Sequence, residues 1–233
     1  MKKYFIDLLL KKVPSDYNQV SKTFSNSRNK PWAEFDLYSN SCFEGANVLD
    51  MGCGNGRLYF SLKSKGVNYI GLDNSVGLLD QAENNLINED VDLIIGDFTN
   101  IPLKDSSLDR IFAVASFHHL PGKDKRLDAL NEMQRVLKKD GVLFISVWNL
   151  FQPKYLKEVL KSLLRLHKFD FGDTFIKLGG VKRYYHAFTT FEFKSLIKKS
   201  NFELVQIHYY KNTKKTESFW DSQNIVFELK IKS

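Results

Sequence analysis

The sequence predicts a mixed α/β fold: a doubly wound, mostly parallel sheet of seven strands with helices on both faces. Three observations carry that prediction. Between Asn47 and Trp148, short apolar runs of strand length alternate with runs of helical period. A glycine cluster, Gly52-Cys53-Gly54-Asn55-Gly56, stands where the first strand gives way to the first helix of that region. Aspartates then recur at the ends of successive strands. Strands that alternate with helices pair in parallel, because each crossover brings the chain back to the same end of the sheet.

The elements follow in order. Tyr4 to Leu10 is apolar except for Asp7 and is flanked by Lys2-Lys3 and Lys11-Lys12. No small-residue cleavage site follows it, so it predicts a short amphipathic helix and not a secretory leader. Val48 to Met51 is a buried strand, Leu58 to Lys65 a helix, and Tyr69 to Asp73 a second strand. Leu79, Ala82 and Leu86 share one face of a helix over Leu78 to Asn88. Asp92 to Gly96 and Ile111 to Ser116 are the third and fourth strands. Leu127, Leu130, Met133 and Leu137 give helical spacing over Asp124 to Lys139, with Gly141 placed to stop that helix. Val142 to Trp148 is the fifth strand. Pro153 to Lys168 sets Leu156, Val159, Leu160, Leu163 and Leu164 against a basic face, which predicts an amphipathic helix. Phe169 to Tyr185 has weak periodicity and reads as a loop or lid. Thr189 and Glu192 form a capping box for a helix to about Ser200. Phe202 to Tyr210 and Asn224 to Ile231 close the sheet, and Lys211 to Gln223 between them reads as a hairpin loop.

With 43% hydrophobic and 26% charged residues, the 233-residue chain can form an ordinary core, which excludes wholesale disorder. The formal net charge of +7 favours polyanionic partners, nucleic acid among them. Cys42 and Cys53 are too few for a disulfide framework or a four-cysteine zinc site, so a reducing compartment and no metal site are expected. No stretch is apolar enough to cross a membrane, and a cytoplasmic location is expected.

The informative segment is Val48-Leu49-Asp50-Met51-Gly52-Cys53-Gly54-Asn55-Gly56. Glycines there let the backbone turn sharply and approach a ligand closely. A dinucleotide loop would read Gly-x-Gly-x-x-Gly and cradle a pyrophosphate. Its third glycine would fall at position 57, which is Arg57. A carboxylate, Asp50, stands just before the loop, which suits a ligand carrying an ammonium or sulfonium better than one carrying phosphates. Asp73 closes the second strand 21 residues after Gly52, the place for a carboxylate that accepts from ribose hydroxyls. Asp97 would accept from an adenine amino group while Phe98 packs on the ring. Singly, each feature is also compatible with a structural turn or a helix N-cap; together, at successive strand ends, they describe a nucleoside site.

On Asp50 to Gly56, Asp73, Gly96-Asp97-Phe98 and the strand Arg110 to Ser116, the chain resembles the class I S-adenosylmethionine-dependent methyltransferases. The resemblance implies their Rossmann-like fold, with S-adenosyl-L-methionine held by Asp50, Gly52, Cys53, Gly54, Gly56, Asp73, Asn74, Asp97, Phe98 and Ala115. The implied organisation is one domain: residues 1–46 as an N-terminal helical cap, 47–148 as the cofactor-binding core, 149–190 as a basic helical lid insertion, and 191–233 as a closing helix and two strands.

Three further segments are similar to the tRNA wobble-uridine methyltransferases that esterify a 5-carboxymethyl group. They are Phe24-Ser25-x-Ser27-Arg28-x-x-Pro31-Trp32, Ser116-Phe117-His118-His119-Leu120 and Arg183-Tyr184-Tyr185-His186-x-Phe188. That similarity implies a tRNA anticodon stem-loop as substrate, with a small zinc-binding activator subunit as a partner. Its chemistry can be reasoned separately. A carboxymethyl group has a pKa near ~4 by analogy with Asp and Glu, so at neutral pH it is already a nucleophile and needs no general base. Alignment and exclusion of water become the task, and positioning can supply roughly 7–11 kcal/mol. Planar cations suit a carboxylate, so Arg28 and Arg183 are the candidates to clamp it. His118 or His119 would orient the substrate, and Trp32, Tyr184, Tyr185 and His186 would stack on bases or form the lid. Residues 151–183 hold eight Lys/Arg against Glu158, Asp170 and Asp173, a candidate phosphate track or a solvated face. Two competing readings use the same cofactor set: a small-molecule methyltransferase with a histidine base, and a non-catalytic module that keeps the fold.

Overall fold

The computed structural model describes residues 1–28, 30–165, 168–212 and 214–232. Of the expected 153–168 helix, Leu166 and His167 lie outside the described residues, as does Ser233 of the closing segment.

Eight strands form one sheet in the order β3-β2-β1-β4-β5-β10-β8-β9. In chain order these are β1 (Asn47–Met51), β2 (Asn68–Asp73), β3 (Asp92–Ile95), β4 (Leu108–Val114), β5 (Leu137–Trp148), β8 (Phe202–Lys211), β9 (Lys214–Thr216) and β10 (Asn224–Ile231). The first five pair in parallel, and β10 runs antiparallel between β5 and β8. The expected seven-stranded sheet is thus present, with β9 added at the edge from within the stretch read as a loop. Strand order reverses at β1, which lies between β2 and β4. In such a sheet a crevice opens beyond the carboxyl ends of the strands at the reversal.

Both faces are buried. Leu49 and Met51 of β1 point to a core shared with α5 (Lys123–Val136) and α7 (Thr190–Lys198), which contains Met133, Phe193 and Phe227. Val48 points to the opposite core, with α2 (Phe35–Ser41), α3 (Tyr59–Leu62), Phe112 and Phe144. Period-2 alternation sorts these side chains, because successive residues of a strand face opposite sides. α4 (Val76–Asn85) opens on Ser75, whose hydroxyl accepts from the Leu78 amide.

Four expectations are corrected. The amphipathic N-terminal helix, α1, runs from Lys3 to Asn26 and carries Pro14 inside it; that proline reads in sequence as a stop. Gly141 does not end α5, which stops at Val136. It lies where the β4–β5 register shifts between the pairs Leu108–Leu137 and Arg110–Val142, and a Cβ there would stand 2.6 Å from Leu137. A glycine fits a strand at such a bulge. The 169–185 segment is largely a β-hairpin, β6 (Asp173–Leu178) and β7 (Val181–His186), turning on Gly179 and Gly180, both at positive φ. That is the chemistry of a two-residue hairpin turn. Finally, the expected helix over 153–168 is shorter: α6 ends at Leu160 (Pro153–Leu160) and gives way to the 3-10 turn Lys161–Arg165, with Val159 buried and Leu156, Leu160, Leu163 and Leu164 facing outward.

Phe193 of α7 stacks on Phe227 of β10 with ring centroids 3.7 Å apart, both fully buried. Phe227→Ala should cost about 3–5 kcal/mol of unfolding free energy, read from urea titration. A loss below about 1 kcal/mol would mean that α7 is not docked on the sheet through this pair.

Candidate active site

A cleft enclosing about 1060 Å³, part of it open to solvent, lies beyond the carboxyl ends of β1 to β4. Its floor is the loop from Gly52 to Arg57. At Gly52, φ is +77° and a Cβ would stand 2.4 Å from the Ser116 Cβ, so only glycine fits. Gly54 donates its amide to Asp73 Oδ2 at 2.9 Å. Gly56 does not line the cleft: it is buried at positive φ, and a Cβ there would meet Leu86 at 2.6 Å. Its part in the loop is packing and turning, which corrects its expected place among the ligand contacts.

The three aspartates line the cleft. Asp50 Oδ2 accepts from the Tyr69 hydroxyl at 2.7 Å. Burial pushes its carboxyl up to about 7, against the lowering effects of Tyr69 and Arg57. Asp73 accepts from the Gly54 and Ser75 amides, one on each oxygen, and burial raises it too despite those bonds. Asp97 Oδ1 accepts from the Thr99 amide and hydroxyl, with Phe98 beside it on the wall. Cys53, Asn74 and Ala115 also line the cleft; Ala115 has φ +49°, unusual for a residue with a side chain.

The three distant segments meet across this floor. Arg28, Trp32, His118, His119, Arg183 and Tyr185 all line the cleft. His118 Nδ1 accepts the Trp148 amide at 3.3 Å, which puts the ring proton on Nε2, and that atom has no partner among the described residues. His119 Nδ1 donates to the Tyr184 carbonyl at 2.7 Å, so its Nε2 accepts from the Tyr17 hydroxyl at 2.7 Å. Burial lowers both imidazoles, His119 to about 3 and His118 well below its ordinary range. Both are neutral at physiological pH, and neither has a free lone pair turned to the cleft. Arg183 is 4% exposed, with Nε and Nη1 unpartnered among the described residues. Its guanidinium lies 4.8 Å from the Tyr17 ring centre and 6.0 Å from that of Phe24, while Arg28 lies 5.4 Å from the Phe24 ring.

Tyr184 and His186 are not part of the cleft. β7 alternates, so Arg183 and Tyr185 face the cleft while Tyr184 and His186 point to the other side. There the Tyr184 hydroxyl donates to Asp173 Oδ1 at 2.6 Å, and His186 lies 2.7 Å from both Asp173 and Glu192. Arg126 Nη2, 3.5 Å from Asp173, completes a buried network that ties the hairpin to α5 and α7. These two residues hold the lid in place and are not free to stack on a base.

Sequence reasoning missed the contribution of α1. Leu10, Val13, Tyr17 and Phe24 line the cleft as one stripe at helical spacing. Asn18 Oδ1 accepts from the Ser75 hydroxyl and the Gly77 amide, and Asn55 donates to the Ser25 hydroxyl, so the C-terminal half of α1 is tied to the floor at two points. The stripe was readable in the sequence, but Pro14 interrupts it. Trp148 and Arg57 were also missed, though both line the cleft.

A glycine floor with carboxylates at three successive strand ends, in a sheet that reverses at β1, defines the nucleoside-binding methyltransferases, and this chain belongs to the S-adenosylmethionine-dependent methyltransferase family. A family model described as "Methyltransferase domain" matches residues 49–145. A protein of Encephalitozoon cuniculi named as a methyltransferase is 30% identical over 74% of this chain and 78% of its own length. The tRNA (carboxymethyluridine(34)-5-O)-methyltransferase ALKBH8 of Mus musculus is 30% identical over 72% of this chain, which spans only 24% of that relative. Among solved structures, a SAM-dependent methyltransferase of Methanosarcina mazei aligns with TM-score 0.72 at 21% identity, covering 84% of this chain and 97% of that one. The methyltransferase in a complex with the Haloferax volcanii Trm112 methyltransferase activator aligns with TM-score 0.67 at 14% identity, covering 93% and 98%. The cofactor is S-adenosylmethionine, and the chemistry of the cleft fits it: Asp50, Asp73 and Asp97 offer acceptors of the kind its hydroxyls and ammonium need, and Arg57 Nη1 is buried without a hydrogen-bond partner among the described residues.

Beneath the cleft, Glu34 is fully buried, with Oε1 accepting from Asn224 at 2.7 Å and Oε2 unpartnered among the described residues. Burial raises its carboxyl to about 7, so the folded state holds this proton more tightly than the unfolded chain does. Its contribution is full below the unfolded pKa and is lost as pH rises through about 7, a change of about 3 kcal/mol. Glu34→Gln should therefore flatten the fall in stability between about pH 5 and 8, measured by urea midpoints. An unchanged slope in that variant would contradict the assignment.

Proposed function

We propose that this protein transfers the methyl group of S-adenosylmethionine to the carboxylate of 5-carboxymethyluridine at position 34 of a tRNA anticodon stem-loop, forming the methyl ester in the cytoplasm. One observation carries the reading: Arg183 is buried at the cleft with Nε and Nη1 unpartnered among the described residues, and its guanidinium and that of Arg28 both lie against the Phe24 ring. A buried guanidinium left unpaired is costly, and an anionic acceptor offsets that cost on binding. Relatives from Mus musculus and Saccharomyces cerevisiae named tRNA (carboxymethyluridine(34)-5-O)-methyltransferases support a carboxymethyluridine acceptor.

When bound, the cofactor supplies an electrophilic methyl group on a positively charged sulfur. Asp50 and the Gly52–Gly54 backbone receive its amino-acid end, Asp73 and Asn74 its ribose, and Asp97, Phe98 and Ala115 its base. Arg28 and Arg183 hold the acceptor carboxylate by paired charge-assisted bonds and aim one oxygen. His118 donates from Nε2 to the same group, and His119, bonded on both nitrogens, holds Tyr17 in place beside Arg183. Tyr185 and Trp32 wall the cleft and exclude water. A phenol or amine acceptor would need deprotonation, and two neutral histidines without a free lone pair toward the cleft cannot supply it. Lys154, Lys157 and Lys182 present a basic surface to the tRNA backbone. A small zinc-binding activator subunit is the proposed protein partner, in keeping with the activator complex among the structural neighbours.

The test is transfer of labelled methyl from S-adenosylmethionine to tRNA bearing 5-carboxymethyluridine, with and without such an activator. A base-labile label on the tRNA is expected; label on small acids and never on tRNA would refute the proposal. Arg183→Met should lower kcat/KM by roughly 100-fold or more, as loss of one buried charge-stabilising group does. At saturating cofactor the rate should hold level from about pH 6.5 down to about pH 5, since a carboxylate acceptor stays ionised there and His119 stays neutral. A break near pH 6.5 would point to a histidine base instead.

A further inference from the structure

Three guanidinium groups line the cleft, and their surroundings divide them. Arg183 stands beside Tyr17 and Phe24. Arg57 keeps separate company: its guanidinium lies 3.8 Å from the Trp32 ring centre and 5.4 Å from that of Phe35. Arg28 connects the two: it lies near Phe24 and Trp148 and also acts electrostatically on Arg57.

Arg57 is not spent on the protein's own carboxylates. Its Nη1 is buried without a hydrogen-bond partner among the described residues. Asp50 and Glu34 act on it electrostatically, yet the bonds they make go elsewhere: Asp50 to Tyr69, Glu34 to Asn224 and Ser146. The indole face of Trp32 keeps the guanidinium flat and directs its edge sideways. Asp50 and Arg57 thus lie on either side of the glycine loop, one anionic and one cationic, both lining the cleft. An α-amino acid carries an ammonium and a carboxylate on one carbon, and this pair matches those two charges. Position 57 is also where a pyrophosphate-binding loop would require its third glycine; here a cation stands in that place.

We infer that Arg57 binds the α-carboxylate of the cofactor's methionine part, opposite the ammonium at Asp50, which leaves Arg183 and Arg28 to the acceptor. The assignment rests on the cofactor and not on the identity of the acceptor, so the tRNA reading can fail without it. It also separates two anions of like charge in one cleft, each with its own guanidinium, so that acceptor and cofactor carboxylates do not compete for one site.

Calorimetry on the full chain with two ligands tests it. S-adenosylhomocysteine carries the amino-acid part; 5′-methylthioadenosine keeps the nucleoside and sulfur but lacks it. Arg57→Met should weaken S-adenosylhomocysteine by about 10- to 100-fold, the range for a lost charge-assisted bond, and change 5′-methylthioadenosine by less than about twofold. Arg57→Lys, which keeps the charge but not the fork, should recover part of the loss. The ratio of the two affinities is the measured quantity, since general loosening of the fold weakens both ligands together and leaves it unchanged. Arg57→Met and Arg57→Lys both leaving the ratio at its wild-type value would overturn the assignment. So would Arg28→Met lowering the ratio while Arg57→Met does not. Wild-type protein binding neither ligand would overturn the cofactor reading along with it.

Discussion

Reversal of strand order at β1 is the constraint on which the rest of this molecule depends. Because β2 and β4 flank β1 in parallel, the helices that follow them leave to opposite faces, and no crossover covers the ends of the strands between. The acidic groups of the cleft hang from those ends: Asp50 in β1, Asp73 closing β2 and Asp97 after β3, with Ala115 following β4. The core on either face keeps the four ends in register, with Asp50 opposite Gly71 on one side and Phe112 on the other. A slip of one residue in β1 would exchange Leu49 and Met51 with Val48 and Asp50, placing a carboxylate in an apolar core.

Closure over this floor comes from outside the sheet. α1 lays an apolar stripe across the cleft and is tied down at the middle and the C-terminal end of that stripe, through Asn18 on the N-terminus of α4 and through Ser25 on Asn55 of the glycine loop. The β6–β7 hairpin closes another side, with Arg183 and Tyr185 turned inward, and the Asp173–His186–Glu192–Arg126 network anchors its outer face. Enclosure accounts for the electrostatics. Burial is the leading cause of the raised carboxyls of Asp50, Asp73 and Glu34 and of the lowered imidazoles. Where burial is this deep, an ion is stabilised by a charged partner more than by water, which is how one cleft can keep cationic and anionic subsites distinct.

The outward leucines of α6 and the turn after it show what local pattern leaves open. Leu156, Leu160, Leu163 and Leu164 oppose lysines, the pattern of an amphipathic helix. Periodicity establishes that a helix has two faces; it does not say which one has something to pack against. Here Val159 of α6 reaches the interior, beside Ile176 and Tyr185 of the hairpin.

Much of the floor was legible in the sequence. Turn chemistry at Gly52 to Gly56, strand-length apolar runs and an aspartate at the end of each of the first three strands are local signals, and local geometry is enough to read them. The hairpin was legible too, in Gly179-Gly180, but weak alternation around it hid the strands. Other features could be decided only by tertiary structure. Which of Arg183, Tyr184, Tyr185 and His186 faces the cleft depends on the phase of β7 against α1 and the sheet. That Tyr17 meets His119 across 102 positions, and that Arg57 rests on Trp32, depends on chain segments brought together by packing. Sequence spacing dictates geometry within a turn or a strand; between segments far apart in the chain, only the burial of their apolar surfaces against one another determines which polar groups meet.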